Sequence, residues 1–456
     1  MDSRVQNEAL HALIRQAAWN GQGLAEAVNA VGREANFPLA YTRSSAGQWL
    51  AGMVPRRPVP HIVAEALSRR LGRQVTTAEA GFGESAQEDG DGTSDRLIAL
   101  AVAGSPANLA TSPYRVYRLS GFPGDEEPRV PAPEPSPNMS APAGSVRVGR
   151  KDVESAEEML RLFTGADAAG GAGHVRTALG LYLANAIAPS LAAATREIRA
   201  ELMSVAARLA YLCGVMCRDD ELHGFAQQYY LIALRLAARA GESGVRARVL
   251  TSMSVQAVAL GHHDRALALA RASVATAAGE LPPEECARLL GQRAVAHAAA
   301  GDRQGALADM AAAQAGLKRA GDPSRTAAAA LAYRRGVMLA LLGDTPKAIT
   351  QLEISVRHSP ATERHSRAIT LSHIAGLQLR HGYLKEAIAT WHRFLDDYPA
   401  INSGRARTAL AHLQSGVRPY HGVPSARALL TRAVSLQQRL PQLTTGPRAA
   451  SAIAGL

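Results

Sequence analysis

Four short segments of similar sequence decide the fold of this chain. They read GHHDRALALA (261–270), GDRQGALADM (301–310), GDTPKAITQL (343–352) and GYLKEAIATW (382–391). Each segment begins with a glycine and carries an alanine five residues later. An earlier copy, ELHGFAQQYY (221–230), has its alanine at the same place, and the five alanines lie 40, 40, 42 and 39 residues apart. Self-similarity at this period predicts a stack of copies of one structural unit.

The predicted unit is a hairpin of two helices. Glycine tolerates the left-handed backbone that ends a helix, and the alanine that follows lets the second helix approach the first closely. Another small residue precedes each of the four glycines by seven positions. Pro360 and Pro399 are expected to end the second helices of two units. The alanines are Ala226, Ala266, Ala306, Ala348 and Ala387, and the earlier small residues are Ser254, Ala294, Gly336 and Ala375.

This pattern resembles the tetratricopeptide repeat (TPR), although the period is near 40 rather than about 34 residues. We therefore expect an all-α protein with a TPR-like α-solenoid over residues 151–440 and a flexible tail at 441–456. Helices at 175–188 and 196–217, and at 405–414 and 426–439, extend the array at its two ends and are less regular, as capping elements are. The run Gly170–Gly171–Ala172–Gly173 is interpreted as a flexible lead-in to the first of these helices.

The sequence of residues 1–83 predicts a separate domain of short helices. The segments that define it are 7–18, GLAEAVNAV (23–31), TRSSAGQWLAG (42–52) and 59–71. Their order resembles the helix-turn-helix domains of the phage-repressor (XRE) class, with LAEAVN in the second helix and SSAGQWLAG in the recognition helix. The stretch 32–41 between these helices is longer than the tight turn of that class.

A recognition helix places its first side chains against base edges in the major groove of DNA. The polar residues early in this helix are Arg43, Ser44, Ser45 and Gln48, and arginine and glutamine are suited to guanine and adenine respectively. Arg56, Arg57, Arg69 and Arg70 are candidates for phosphate contacts, which position a protein but do not specify sequence. The alternative for Ser44 and Ser45 is that they only cap the helix. Trp49 and Leu50 are expected in the core.

Residues 84–150 are interpreted as a Pro/Gly-rich linker that is partly disordered. They include EDGDGTSD (88–95) and VPAPEPSPNMSAPAG (130–144), and prolines at this density favour extended, solvated backbone. Short local elements are expected at 95–104 and 114–120.

The net charge of +11 does not identify a DNA-binding protein, because it lies mainly in the predicted solenoid. Residues 1–83 hold 9 arginines and 6 acidic residues, whereas residues 151–456 hold 35 basic and 24 acidic residues. Net charge is in any case a weak guide to a nucleic-acid partner. The polar N-terminus and the absence of long apolar runs predict a cytoplasmic protein without a membrane span.

No pattern of residues indicates an enzyme, a cofactor or a metal site. Cys213 and Cys217 lie on one helical face with His223 nearby, but a metal site needs more ligands than these, and buried packing is the expected role of the cysteines. His262 and His263 are expected on the surface. The acidic pairs Asp219–Asp220 and Asp396–Asp397 are expected to be solvated or to cap helices.

The chain as a whole resembles actinobacterial transcriptional regulators that join an XRE-type helix-turn-helix, a variable linker and a TPR array. The matching segments include GGAGHVRTALGLYLANAIAP (170–189) and LHGFAQQYYLIALRLA (222–237). The resemblance implies a regulator of development or secondary metabolism that binds double-stranded DNA. We further expect a homodimer and an effector peptide, small molecule or protein in the groove of the array, where Arg293, Arg334 and Arg335 are candidate contacts. The alternative is a TPR interaction scaffold without specific DNA binding.

Overall fold

The computed structural model of the protein describes residues 6–83, 92–119, 148–277, 281–321, 323–360 and 362–439. Within these ranges the chain is helical and contains no strand, which confirms the predicted all-α class. The predicted tail at 441–456 and most of the proline-rich part of the predicted linker, 120–147, lie outside the described residues.

The N-terminal domain consists of four helices around a core of its own. They are α1 (Glu8–Gln16), α2 (Gly21–Glu34), α3 (Arg43–Leu50) and α4 (Val59–Leu71). Leu24, Val28, Trp49, Ile62 and Leu67 form the centre of this core, and each is almost fully buried. The end of the domain returns to its beginning, where the Asn7 side-chain amide donates to the Ala80 carbonyl oxygen at 2.9 Å.

The next elements lie against the beginning of the solenoid. They are α5 (Thr93–Ala103), α6 (Arg150–Gly170), and α7 (Arg176–Tyr182) and α8 (Ala188–Ala193), which are joined through a π-helical turn at Leu183–Ile187. Leu97 and Leu100 of α5 are fully buried in the same core as the first hairpins. The Ser94 hydroxyl donates to the Ala188 carbonyl oxygen at 3.0 Å.

Six consecutive helical hairpins, here called the repeat array, make up the rest of the described chain. Their helices are α9 (Arg196–Asp219), α10 (His223–Ala240), α11 (Ser243–Ala259), α12 (His263–Thr276), α13 (Pro283–Ala299), α14 (Arg303–Arg319), α15 (Arg325–Leu341), α16 (Thr345–His358), α17 (Arg364–Arg380), α18 (Leu384–Asp397), α19 (Gly404–Val417) and α20 (Pro424–Arg439). The helix ends at His358 and Asp397 confirm that Pro360 and Pro399 follow the second helices.

The repeated small residues are the places where the two helices of a hairpin touch. All five repeated alanines are completely buried. A Cβ added to Gly336 would lie 2.6 Å from Leu352 Cγ, and one added to Gly214 would lie 2.6 Å from the Tyr230 ring. In both hairpins, a glycine of the first helix therefore packs against a large side chain of the second helix. The turn glycines Gly261 and Gly301 have φ angles of 81° and 82°, as predicted, while Glu221 adopts φ 59° at the equivalent turn of the first hairpin.

The segment that precedes the array contacts the loop before the last hairpin, and these contacts close the solenoid on itself. The Gly173 N–H donates to the Asn402 carbonyl oxygen at 2.9 Å, and the Asn402 N–H donates to the Gly170 carbonyl oxygen at 2.8 Å. A Cβ at Gly173 would lie 2.5 Å from the Asn402 side chain. The interpretation of 170–173 as a flexible lead-in is therefore wrong, because these glycines allow the backbone of α6 to meet the loop before α19.

Buried ion pairs support the closure. Asp219 Oδ1 lies 2.8 Å from His365 Nε2, and Asp220 Oδ2 lies 2.9 Å from Arg176 Nε. The Glu221 carboxylate accepts a hydrogen bond from the Thr408 hydroxyl at 2.7 Å. The expectation of solvated acids at 219–220 is wrong, since both carboxylates are almost fully buried. At the second acidic pair, Asp396 is exposed as expected, whereas Asp397 is buried and paired with Arg367.

One helix of the described residues, Arg196–Asp219, is long and apolar enough to cross a membrane by length and composition. This helix is α9, and it packs inside the array, where Leu209, Ala210 and Met216 are fully buried. Cys213 and Cys217 are buried on the same helix, which confirms their predicted packing role. The burial of α9 is compatible with a soluble protein.

The helix contact at Gly336 provides a test of the hairpin packing. We expect Gly336→Ala to destabilise the protein by about 1–3 kcal/mol, because the new methyl group overlaps Leu352 and overpacked cores cost that much. The matched control is Gly316→Ala on α14, where the added Cβ meets only the Arg319 guanidinium at 3.8 Å. That substitution should stabilise the protein by up to about 1 kcal/mol, since alanine favours a helix over glycine. Urea unfolding of both variants measures the difference, and equal effects would contradict the packing argument.

Candidate nucleic-acid interface and repeat groove

Helix α3 is held in place by its buried face. Ala46 and Trp49 are buried, and the Trp49 ring lies edge-on to the Tyr41 ring with centroids 4.9 Å apart. This burial confirms that Trp49 belongs to the core. A Cβ added to Gly21 of α2 would lie 3.5–3.6 Å from atoms of Arg43 and Ala46. Helices α2 and α3 therefore cross closely at this glycine.

The long connection between α2 and α3 is closed by one side chain. The Asn29 amide nitrogen donates to the Tyr41 carbonyl oxygen at 2.8 Å, and the Tyr41 N–H donates to the Asn29 amide oxygen at 2.9 Å. Gly32 makes room for Leu39, because a Cβ there would lie 2.5 Å from the leucine side chain. The extra residues therefore form a fixed loop between the two helices, in place of the tight turn of the resembled class.

The polar residues predicted for base recognition take two different positions. Arg43, Ser44 and Gln48 are exposed, whereas Ser45 is half-buried. The Thr42 N–H donates to Ser45 Oγ at 3.3 Å, so Ser45 serves the N-terminus of the helix. The capping alternative therefore applies to Ser45, while the other three side chains are available to a partner.

The loop after α3 adds two exposed arginines and two exposed apolar residues. Arg56 and Arg57, the predicted phosphate contacts, are exposed. Between them and α3 lie Met53 and Val54, whose exposures of 37% and 57% are high for apolar side chains. The sequence reasoning missed these two residues. Apolar side chains beside a recognition helix can contact the methyl group of thymine.

The suggestion that Arg69 meets a phosphate is wrong. Its guanidinium forms two hydrogen bonds of 2.8 Å with the Glu34 carboxylate and one of 2.8 Å with Glu65. Arg69 also donates to the Tyr117 carbonyl oxygen at 2.9 Å. Arg70 remains exposed, and its Nε donates to the Ala17 carbonyl oxygen at 2.9 Å.

Residues 112–119, here called the junction segment, fasten the N-terminal domain to the repeat array. Val116 is buried in the core of the N-terminal domain. The Tyr117 ring stacks on the His262 ring with centroids 5.6 Å apart and planes 8° apart. The Gln227 side-chain amide exchanges two hydrogen bonds with the Arg118 backbone, at 2.7 and 2.9 Å. These residues of the predicted linker join the two units that they were expected to separate.

The junction is tight at the backbone level. A Cβ at Gly224, in the first turn of α10, would lie 2.3 Å from the Tyr114 carbonyl oxygen and 2.5 Å from that of Val116. The Arg115 guanidinium lies 4.1 Å from the centre of the Phe37 ring and donates to the Asn36 carbonyl oxygen at 3.1 Å. Sequence reasoning could not find these contacts, because glycine at 224 resembles any helix-start glycine until its neighbour is known.

Direct contacts between the two units surround Glu34. His262 Nε2 lies 3.3 Å from the Glu34 carboxylate, and the Asn36 amide donates to the Glu221 carbonyl oxygen at 3.2 Å. The expectation that His262 lies on the surface is wrong, since it is half-buried in the junction, whereas His263 is exposed as expected. Burial alone would raise the pKa of Glu34, but hydrogen bonds from His262 and Arg69 outweigh burial and lower it.

The three arginines predicted to contact an effector in the groove of the array differ in whether their charge is already paired. Arg293 forms two hydrogen bonds of 2.6 Å with the Asp309 carboxylate inside its own hairpin, so its charge is already paired. Arg334 and Arg335 are half-buried. The side chain of Arg334, on α15, packs against α13, because a Cβ added to Gly291 would lie 3.1 Å from Arg334 Cδ.

Residues 10–83 match a family model described as the SP15 N-terminal domain. The match begins within α1, covers α2 to α4 and ends at residue 83, the predicted boundary of the N-terminal domain. No curated protein matches the chain. The similarity therefore concerns the N-terminal domain, and it includes the whole of α3.

The pKa of Glu34 leads to a test of the junction. A carboxylate whose pKa is lowered on folding stabilises the protein fully above its ordinary pKa of 4.5, and this contribution is lost as the pH falls through the lowered value. We expect Glu34→Gln to cost about 1–3 kcal/mol at pH 7, because Arg69 and His262 lose a charged acceptor. The cost should be smaller at a second, acidic pH below the lowered pKa of Glu34, where the carboxylate is protonated.

Urea unfolding at the two pH values measures this difference. The matched control is Glu26→Gln, on an exposed position of the same helix, which should change the free energy of unfolding by less than about 0.5 kcal/mol at either pH. A Glu34→Gln cost that is the same at both pH values would contradict the assigned role of the carboxylate.

Proposed function

We propose that this protein is a cytoplasmic transcriptional regulator that binds double-stranded DNA through its N-terminal domain. The observation that carries the proposal is the exposed row of Arg43, Ser44 and Gln48 on α3. The helix that bears them is anchored by the buried Trp49, so these side chains are presented on a rigid element. A helix with free polar side chains at its N-terminal end is what the major groove of DNA accepts.

The placement of the N-terminal domain supports this proposal. Its direct contacts with the array come from Glu34 and Asn36, at the end of α2 and just after it. Phe37 and Arg69 contact Arg115 and Tyr117 of the junction segment. The recognition residues of α3 are exposed. The array can therefore hold the domain without covering the surface assigned to DNA.

The repeat array is proposed to control the regulator. An effector in its groove, a peptide, small molecule or protein, would favour one curvature of the solenoid over another. Because α10 and the beginning of α12 hold the junction segment through Gln227 and His262, a change of curvature would move the DNA-binding domain. Such a switch requires that the effector bind two arrangements with different affinity. Dimerisation through the array would set the distance between two recognition helices.

Base recognition is tested by Arg43→Ala combined with Gln48→Ala in the full chain. Sites are first found by mapping the occupancy of the tagged protein on its host chromosome, and affinities are then measured by mobility shift. We expect each lost bidentate contact to weaken specific binding by about 1–3 kcal/mol, with non-specific binding nearly unchanged. The matched control is Arg15→Ala with Gln16→Ala, which removes the same residue types from exposed positions of α1. A protein that prefers no chromosomal site over random duplex would contradict DNA recognition and favour an interaction scaffold.

Phosphate contact is tested by Arg56→Ala with Arg57→Ala. Phosphate contacts add affinity without sequence information, so we expect specific and non-specific binding to weaken together. The salt dependence of binding should fall as well, by a slope of about one for each lost phosphate contact. Titrations at several salt concentrations measure the slope. An unchanged slope would show that these arginines do not reach the duplex backbone.

A further inference from the structure

The turn between α9 and α10 departs from the later turns of the repeat array. The equivalent position of four later hairpins is a glycine, with φ angles from 81° to 85°. The first hairpin has Glu221 there, at φ 59°, and its side chain makes this left-handed backbone unfavourable. Residues held in such a conformation need support from their surroundings, and they cluster at functional sites. The departure therefore indicates a role for Glu221 that the repeat itself does not require.

Glu221 contacts two distant parts of the chain. Its carboxylate accepts a hydrogen bond from the Thr408 hydroxyl of α19, in the last hairpin, at 2.7 Å. Its carbonyl oxygen accepts a hydrogen bond from the Asn36 side-chain amide of the N-terminal domain at 3.2 Å. Asn36 has φ 55°, so two of the three non-glycine residues with a positive φ in the described chain are joined to each other. The end of the array and the N-terminal domain thus meet at one residue.

The contacts that close the array, here called the seam, are polar. The buried apolar residues of the array form two separate groups, one within 97–296 and one within 287–433. Among the described residues, neither group has members on both sides of the seam. The seam is held instead by backbone hydrogen bonds of Asn402 and by the ion pair of Asp219 with His365. Regions with few buried apolar contacts open at a lower free energy than well-packed hairpins, so the seam is the part of the array most suited to opening.

The same turn also contacts the junction segment. A Cβ at Gly224 would lie 2.3 Å from the Tyr114 carbonyl oxygen, and the Arg115 guanidinium donates to the Asn36 carbonyl oxygen at 3.1 Å. A movement of residues 221–224 therefore reaches the N-terminal domain both directly and through the junction segment.

We propose that Glu221 couples closure of the array to the placement of the N-terminal domain. While the seam is closed, the bond from Thr408 helps to hold Glu221 in its left-handed conformation, with its carbonyl oxygen on Asn36. When the seam opens, the carboxylate loses this partner, the turn relaxes, and Asn36 loses its acceptor. The loop 35–41 then loosens, and this loop leads directly into α3.

This inference deepens the proposed function and rests on it for its consequence, because it names the movement by which the array would control the DNA-binding domain. Its test is independent of DNA. Amide hydrogen exchange of the full chain reports opening both at the seam, through residues 402–408, and in the loop 35–41. The loop has protected reporters, since the Phe37 N–H donates to the Gly32 carbonyl oxygen at 2.8 Å and the Tyr41 N–H donates to the Asn29 side chain at 2.9 Å.

Thr408→Val removes one hydroxyl group and keeps the shape of the side chain. We expect exchange to become about two- to tenfold faster at the seam and also in the loop, as the loss of one hydrogen bond implies. The matched control is Thr431→Val on α20. Its hydroxyl donates only within its own helix, to the Arg427 carbonyl oxygen at 3.0 Å, so neither region should change.

Two substitutions of Glu221 test whether this residue carries the coupling. Glu221→Gly restores the turn residue of the later hairpins, and in this background Thr408→Val should no longer change exchange in the loop. Glu221→Gln keeps an acceptor oxygen, so Thr408→Val should still accelerate exchange in the loop. If Glu221 were merely structural, Thr408→Val would leave the loop unaffected in every background.

A second way of opening the seam guards against an effect confined to Thr408. A Cβ added to Gly404 would lie 2.7 Å from the Asp220 carbonyl carbon, so Gly404→Ala should force the seam apart and accelerate exchange in the loop as well. The matched control is Gly376→Ala on α17, where the nearest atom to the added Cβ is Arg380 Nη1 at 3.5 Å. It should leave both regions unchanged.

The coupling is overturned if neither seam variant, Thr408→Val or Gly404→Ala, accelerates exchange in the loop. It is also overturned if the loop responds to Thr408→Val equally with glutamate and with glycine at position 221. If the loop responds as expected but the mobility-shift experiment finds no preferred DNA site, the DNA-binding part of the proposed function fails and the coupling stands.

Discussion

The close approach of two helices at a buried small residue is the constraint on which the rest of this molecule depends. A completely buried alanine recurs about every 40 residues, from Ala226 to Ala387. At Gly214 and Gly336 even a methyl group has no room, because Tyr230 and Leu352 fill the space. Interiors packed this tightly allow few relative orientations of the helices. The orientation of each hairpin relative to the next is therefore fixed. The rotations between successive hairpins add up along the array and bring its ends together.

Closure determines where charge can be accommodated. Asp219 and Asp220 are buried at the seam between the two ends, where His365 and Arg176 offset the cost of removing them from water. Arg293 of the array is likewise paired, with the Asp309 carboxylate of its own hairpin.

The junction segment connects this body to the N-terminal domain through a few shared residues. Val116 completes the core of one unit, while Tyr117 and Arg118 lie against His262 and Gln227 of the other. Glu34 lies between the two units and binds both Arg69 and His262. In the proposed function, this connection is the route by which a change in the array would reach α3.

The sequence by itself determined the local elements: the hairpin repeat, the helix Val59–Leu71, the core position of Trp49 and the exposed polar residues of α3. These follow from spacing, glycine and proline, whose effects act within a few residues along the chain. Only the tertiary structure decided that Gly173 contacts Asn402 and that the charges of Arg69 and Arg293 are already paired with carboxylates. Such contacts join residues that are tens to hundreds of positions apart. They depend on the accumulated orientation of the hairpins, which no short stretch of sequence predicts.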